Sequence, residues 1–427
     1  MASVIKVFKT LRSHWKKSTF AAVAGCYGVY YLNNKHNENL IRREYCKLAW
    51  EYGQHSIRAT EKVKKVTVFL NPAAKNGKAV KQFEKNAAPI LHLAGLSVEI
   101  LKSTHEGHVK DQVAALGATD YILVVGGDGT LAEVITGLLR RSDEESCSNW
   151  PIGVIPVGVT NTLARLLYTD STNEVRWMCS AAFALVKGET VPIDVMAIKD
   201  AEERTTFAVN HLRWSSFDDA KQTTTKYWYF GPLKHRMAFV FHTLSQNWPN
   251  AVSVNALYTG PKDIPLPPPP PVVHSIWTRM YWRLFGRPEE KPSEEEESDI
   301  VVPRLEKASK TMELVLATNQ LQEKDGKKFL SLTSGPEELF RVDFITEGWR
   351  RLNSHDMESC KLSFEKEIVG DVDIYPDISK DETEWYTIDS ERFEAGPVSV
   401  TLLPNKLKFF YQPRNSESES SNLEIQR

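Results

Sequence analysis

Tyr121-Ile122-Leu123-Val124-Val125-Gly126-Gly127-Asp128-Gly129-Thr130 is the stretch whose reading decides the fold. Five residues rich in apolar and β-branched types run into three glycines that bracket one aspartate. Beyond them Leu131, Val134, Ile135 and Leu138 recur at helical spacing. That order predicts a buried strand, a tight glycine turn and an amphipathic helix. Such a turn gathers backbone N–H groups and the positive end of a helix dipole at one spot, which suits phosphate. The glycines remove the Cβ atoms that would keep a phosphate off the backbone. Asp128 is the one acid placed where a metal-bound or transferring phosphate would sit. The plainer alternative is an ordinary strand-to-helix turn carrying a surface aspartate.

Working outward, Val66–Leu70 is an expected strand stopped by Asn71-Pro72, because proline removes the next ladder donor. A helix is expected from Phe83 to Leu93, ending at Gly95, then a strand from Val98 to Leu101 and a helix over 106–117. Ile152–Pro156 is the fourth strand. Strands alternating with helices predict an α/β domain over residues 61–190, a mostly parallel sheet with helices on both faces. Ligands of such sheets bind outside the carboxyl ends of the strands. Three motifs fall there: Asn71–Lys78, Gly126–Thr130 and Gly158–Arg165.

These residues carry a resemblance. Gly126-Gly127-Asp128-Gly129-Thr130 with Glu133 resembles the G-G-D-G-T-x-x-E nucleotide loop of the diacylglycerol kinase catalytic family. Asn71-Pro72 with Gly77 is similar to its N-P-x-S-G-x-G, although Ala74 and Lys75 replace the Ser and first Gly. Gly158-Val159-Thr160-Asn161-Thr162-Leu163-Ala164-Arg165 resembles G-T-G-N-D-F-A-R, keeping Gly158, Asn161, Ala164 and Arg165. Over residues 1–260 and 305–411 the chain most resembles the acylglycerol kinases, relatives of the sphingosine and ceramide kinases. The resemblance implies a parallel-sheet, three-layer nucleotide-binding domain, then an antiparallel β-sandwich that binds lipid. It implies ATP as cosubstrate with Mg²⁺, and monoacylglycerol and diacylglycerol as acceptors, giving lysophosphatidic and phosphatidic acid. In that reading Gly126, Gly127 and Gly129 cradle the phosphates, and Asn71, Gly77, Thr130, Glu133, Gly158 and Asn161 hold the nucleotide. Asp128 acts on the metal or on the hydroxyl proton.

Length and charge fit two domains with full cores: 427 residues, a net charge of −2 and a pI near 6.6. That balance gives no field for nucleic acid. The five cysteines are scattered and never in a C-x-x-C pair, which excludes a zinc cluster of the usual spacing and a disulfide scaffold.

The amino end differs from the rest. Residues 1–37 carry Lys6, Lys9, Arg12, Lys16, Lys17 and Lys35 and no acid. Val4, Phe8, Leu11 and Trp15 share one helical face, with Lys6, Lys9, Arg12 and Lys16 opposite. A basic, amphipathic, acid-free start has the form of a mitochondrial presequence. Phe20 to Leu32 is then uncharged, thirteen residues against the ~20 needed to span a bilayer. Membrane association is expected here without a demonstrated span; the alternative is a surface helix packed on the body. The resemblance adds a mitochondrial inner membrane location facing the intermembrane space, and a partner, the carrier translocase of that membrane.

Beyond Val191 short alternating runs predict an antiparallel β-sandwich over 191–411: 191–198, 205–209, 252–258, 311–318, 328–333, 339–345, 360–366, 383–388 and 398–403. Arg213–Ala220 and Lys226–Lys234 form an aromatic, basic segment similar to the sphingosine and acylglycerol kinase pattern W-G-x-x-x-D…Y-x-x-G, with Ser215 for Gly. By that alignment Asp219 meets the lipid hydroxyls beside Trp214; the alternative makes Trp214, Tyr227 and Trp228 core aromatics. Residues 261–303 interrupt the sandwich with a proline run, an aromatic and basic stretch at 276–287 and an acidic run at 289–299. Asp389-Ser390-Glu391 resembles the family's late D-G-E, with Ser390 for Gly. Two acids one residue apart on a strand end would point the same way, as proton acceptor and as metal or lysine partner. A charged surface turn is the alternative. Residues 412–427, rich in Ser and Glu, read as a disordered tail. Two rivals stand against the lipid kinase: a soluble NAD kinase, which shares the glycine loop, and a membrane-anchored assembly subunit that aids carrier import.

Overall fold

The computed structural model describes residues 14–54, 62–168, 173–244, 248, 251–261, 304–320, 327–353, 364–377, 384–389 and 391–412. Most of the first amphipathic face, the insertion from 262 to 303 and the tail from 413 lie outside the described residues. The chain divides into two compact units, residues 1–192 with 407–427, and residues 193–406. The carboxyl-terminal strand, Val398–Phe410, gives its first residues to the second unit and its last to the first.

The first unit is built on parallel strands β1 (Lys65–Leu70), β2 (Ser97–Lys102), β3 (Tyr121–Gly126) and β4 (Ile152–Pro156), ordered β2-β1-β3-β4. Phe409, near the end of the chain, pairs beside Ile152 in the same parallel sense. The register sets Leu70 against Val125 and Gly126 against Pro156, so the turns after β1, β3 and β4 leave the same edge. β3 and β4 are buried along almost their whole length, the mark of a sheet covered on both faces. One helical group is Trp15–Gly53, Ala79–Asn86, Ala88–Leu93 and Glu174–Lys187; the other pairs His108–Ala114 with Asp128–Leu139. The single helix expected from Phe83 to Leu93 is two, restarted where Pro89 enters the first turn of the second.

The helix Trp15–Gly53 extends far past the uncharged run. Its later half docks: Ala49 is fully buried, Tyr45 and Tyr52 meet Phe183 edge-on, and Arg42 donates to Asn86. Its earlier half stays bare, with Phe20 76% and Tyr27 70% exposed. No helix among the described residues is long and apolar enough to cross a membrane.

The second unit is a pair of sheets. One runs β12 (Glu365–Val369), β11 (Leu330–Ser334), β10 (Glu313–Thr318), β7 (His211–Ser215), β14 (Trp385–Ile388), β15 (Glu391–Glu394). The other sets β13 (Val372–Asp377), β8 (Val252–Thr259) and β9 (Arg304–Thr311) beside the start of β16 (Val398–Phe410), which also pairs β5 (Thr190–Asp200), itself paired with β6 (Thr205–Ala208). Leu212, Leu314, Leu330, Val372, Ile374 and Val400 lie in the core they enclose. The stretch 339–345, expected as strand, is instead the start of a helix, Arg341–Asn353. Phe344 and Glu347 are buried on it, and Gly348 lets the Phe239 ring approach so closely that a Cβ would sit 2.4 Å from it. Helices also fill what read as helix-poor sequence: Ser216–Gln222, a 3₁₀ segment Thr223–Leu233, and Lys234–Thr243.

Candidate functional site

Three turns of the first unit interlock. Gly126 O accepts hydrogen bonds from Gly158 N (3.1 Å) and Val157 N (3.3 Å). Gly127 and Gly158 meet backbone to backbone: a Cβ on Gly158 would lie 2.2 Å from the Gly127 Cα, and one on Gly127 2.8 Å from Thr160 O. A Cβ on Gly126 would strike the Thr130 side chain at 2.6 Å. These three glycines are therefore required by the packing of one turn on the next. Gly129 differs, since nothing lies within 4 Å of where its Cβ would be. Asn71 joins the first turn to the second, donating its backbone N–H to Val125 O (3.1 Å) and its side-chain Nδ2 to Thr130 Oγ1 (3.2 Å).

Asp128 begins the helix Asp128–Leu139, with Gly127 as its extended N-cap. Its own N–H is taken by Thr160 O at 3.1 Å. The amides that follow on that first turn, Gly129 and Thr130, have no acceptor within the helix. The Asp128 carboxylate accepts from Thr162 N (2.9 and 3.0 Å) and from Thr162 Oγ1 (2.9 Å). Burial raises its pKa, and the Thr162 bonds pull against that rise. The side chain of Asn161 closes its own loop, donating to Gly158 O (2.9 Å) and accepting from Gly158 N (3.2 Å). Val159, on the rim of that loop, is 85% exposed.

Two further residues of the expected nucleotide set make contacts outside this network of turn-to-turn bonds. Glu133 is buried and accepts from Val109 N at 3.2 Å, which caps the neighbouring helix His108–Ala114. Gly77 ends a run of three left-handed residues, Lys75 (φ 53°), Asn76 (57°) and Gly77 (79°), with the Lys75 ammonium held by Glu174. Lys75 and Asn76 store backbone strain there, and Lys75 stands where the family loop has glycine. Thr162, which fixes Asp128, escaped the sequence reading, although its place directly after Asn161 was a signal.

The second unit gathers a separate set. Asp219, on the helix Ser216–Gln222, accepts from Arg392 at 3.3 Å. Burial first, and the neighbouring Glu384 second, push its pKa up to about 6. Arg392 lies over the Trp385 ring, and Glu384 accepts from Trp214 Nε1 at 3.3 Å. Trp214, expected against substrate, is instead a core residue: it is 3% exposed and edge-on to Tyr386 at 5.3 Å. Glu384 and Arg392 were not singled out in the sequence.

Asp389 and Glu391 do not share a strand end. Ile388 pairs with Glu391, so Asp389 sits in the turn between them at φ 42°. The buried Asp389 carboxylate turns back to accept from Val209 N (2.6 Å), Asn210 N (2.9 Å) and His211 N (3.0 Å). Glu391 is half-buried at the start of β15. Three backbone donors on one carboxylate tie two chain segments together.

The family model for the diacylglycerol kinase catalytic domain matches residues 65–198, and that for the acylglycerol kinase C-terminal region matches residues 209–423. The mitochondrial acylglycerol kinases of Pongo abelii and Homo sapiens are each 42% identical over 430 residues, covering 96% of this chain and 97% of theirs. A solved structure of a Bacillus anthracis str. Sterne protein described as a diacylglycerol kinase shares the fold, with a TM-score of 0.51, 15% identity, and coverage of 84% of this chain and 99% of that one.

Proposed function

The chain belongs to the acylglycerol kinase family, and from that membership we propose that it moves the γ-phosphate of ATP to the free hydroxyl of monoacylglycerol and diacylglycerol, yielding lysophosphatidic and phosphatidic acid. The observation that carries the reading is the Asp128 turn: a fixed carboxylate, amides at a helix start, and an open side at Gly129.

Phosphoryl transfer needs positioning and charge neutralisation more than covalent help. The amides of Gly129 and Thr130 bind phosphate oxygens, and the Gly127–Gly158 contact keeps the two turns from spreading under that load. Asp128 is the one carboxylate in the three turns. Mg²⁺ arriving with ATP would be held chiefly by phosphate oxygens and water, with Asp128 alongside, and supplies charge neutralisation. Asp128 also takes the acceptor's proton, a role that burial favours by raising its pKa. Asp389 is assigned to holding the Val209–His211 segment, because its oxygens are already committed there. Asp219 with Arg392 is the proposed head-group contact, a half-buried acid and its cation.

The relatives from Pongo abelii and Homo sapiens are named as mitochondrial. We place this chain there too, at the inner membrane facing the intermembrane space, with residues 1–37 as the address and the bare half of the helix Trp15–Gly53 as the membrane-facing element. A soluble NAD kinase is set aside by the family. A subunit of the carrier translocase has no feature of its own among the described residues to favour it over lipid phosphorylation. Phosphate transfer from radiolabelled ATP across a lipid panel tests the reading.

A further inference from the structure

Between Asp219 and Asp263 the sequence runs through 43 residues without an acid, carrying Lys221, Lys226, Lys234, Arg236, His235 and His242. The middle of this stretch is where the second unit leaves large aromatics in solvent. Trp228 is 75% and Tyr229 60% exposed, followed by Leu233 at 53%. Core packing therefore accounts for none of the three. Yet the segment is anchored from beneath. Tyr227 stacks on Phe241 (4.8 Å), and Phe239 is buried against Phe344 and under Gly348. Trp349 Nε1 donates to Arg236 O at 3.0 Å, which clamps the helix Lys234–Thr243 to the helix Arg341–Asn353. The turn at Gly231 (φ 55°) and Pro232 carries Leu233 to the outside beside the aromatics. On the neighbouring helix the acids are Asp343, which is exposed, and Glu347, which is buried against Arg350 and Arg351.

Rigidly held Trp and Tyr with an apolar side chain between lysines is the composition that settles at a lipid–water boundary. The aromatic rings enter the headgroup region while the cations meet anionic lipid, each contributing electrostatically within a Debye length of the surface. We infer that the face formed by Lys226–Arg236 is a docking surface for an anionic lipid bilayer, in addition to the bare amino-terminal helix. Nothing in this depends on which lipid accepts the phosphate. An enzyme taking a membrane-dissolved acceptor gains from a membrane contact on the unit that carries Asp219.

The test uses the full chain with vesicles of phosphatidylcholine, with and without phosphatidylserine. Amide hydrogen exchange should show new protection over residues 226–236 on the anionic vesicles. Trp228→Ala with Tyr229→Ala should weaken sedimentation with them by about tenfold. Lys226→Gln and Lys234→Gln should each weaken it by roughly fivefold, with the effect vanishing in high salt. Transfer to a detergent-dispersed monoacylglycerol should be unchanged in the aromatic variant, while transfer to vesicle-embedded acceptor falls. Vesicle protection confined to residues 15–32, or unaltered sedimentation of the aromatic variant, would overturn the inference. So would protection of 226–236 that rises with protein concentration and needs no vesicle, since a second copy would then be the occupant. Absence of transfer to any dispersed lipid would instead count against the kinase reading and leave the vesicle measurements to decide this one.

Discussion

Asp128 and Thr162 lie 34 positions apart and are joined twice, through the backbone N–H and through the hydroxyl of the threonine. The acid of the glycine turn is thus fixed by the first residue of the helix that follows β4. Two loops contribute to one charged group, and neither holds it alone. Thr162→Val keeps the backbone bond and removes the hydroxyl donor. A hydrogen bond to a charged group is worth about 1.5–3 kcal/mol, so kcat/KM for ATP should fall roughly ten- to a hundredfold. Steady-state kinetics check this, with Thr162→Ser expected to restore most of the loss.

The glycines separate packing from ligand approach. Gly158→Ala places a Cβ 2.2 Å from the Gly127 backbone, so the turns must part and the melting temperature should fall. Gly129→Ala meets nothing within 4 Å and sits in a helix, where alanine is favoured over glycine by about 0.5–1 kcal/mol. Its stability should hold or rise while ATP affinity drops, because the new Cβ occupies the side phosphate approaches. Calorimetry with nucleotide titration distinguishes the two; equal melting losses would remove Gly129 from the site.

Asp389→Asn is expected to act on stability. The amide nitrogen would face one of the three N–H donors now bound, at a cost of about 1–3 kcal/mol. Asparagine tolerates the positive φ, so backbone strain adds little. The melting temperature should fall by about 2–10 °C. A normal melting curve with a much reduced kcat would return Asp389 to the role of base.

Asp219 gives a pH signature. Its folded pKa, about 6, stands above the ordinary aspartate value of 3.8. Protonation is therefore favoured in the fold, and its contribution to stability is present at low pH and lost as pH rises through about 6. Asp219→Asn should flatten that part of the profile, and its melting temperature should overtake the parent's above this pH. In the parent, lipid KM should fall as Asp219 ionises, a trend the variant should lack. Parallel melting profiles of the two chains from pH 4 to 8 would remove Asp219 as the titrating group.

Sequence periodicity reaches some of this and stops at identifiable places. The parallel strands β1, β3 and β4 were legible because apolar runs such as Ile122–Val125 are buried on both faces. The helix Arg341–Asn353 was not. Leu339-Phe340-Arg341-Val342-Asp343-Phe344 alternates with the period of a strand, yet Phe344 finds Phe217 and Phe239 on neighbouring helices, and that packing overrides the local pattern. Trp214 and Glu133 were named for their motifs, but the first fills a core and the second caps a helix. Polar residues near a motif look alike in sequence whether they face a ligand or a backbone amide. Only the partner distinguishes them, and Val109 N is far from Glu133 in the chain.

The most direct test of the account is transfer of labelled γ-phosphate from ATP to monoacylglycerol and diacylglycerol, comparing the parent chain with Asp128→Asn. Asparagine nearly preserves the shape of the side chain, so the fold should persist while the anion is lost. The parent should yield labelled lysophosphatidic and phosphatidic acid, and the variant none above background with its melting curve unchanged. Labelled product formed as fast by Asp128→Asn, or a folded parent chain that labels neither lipid, would contradict it.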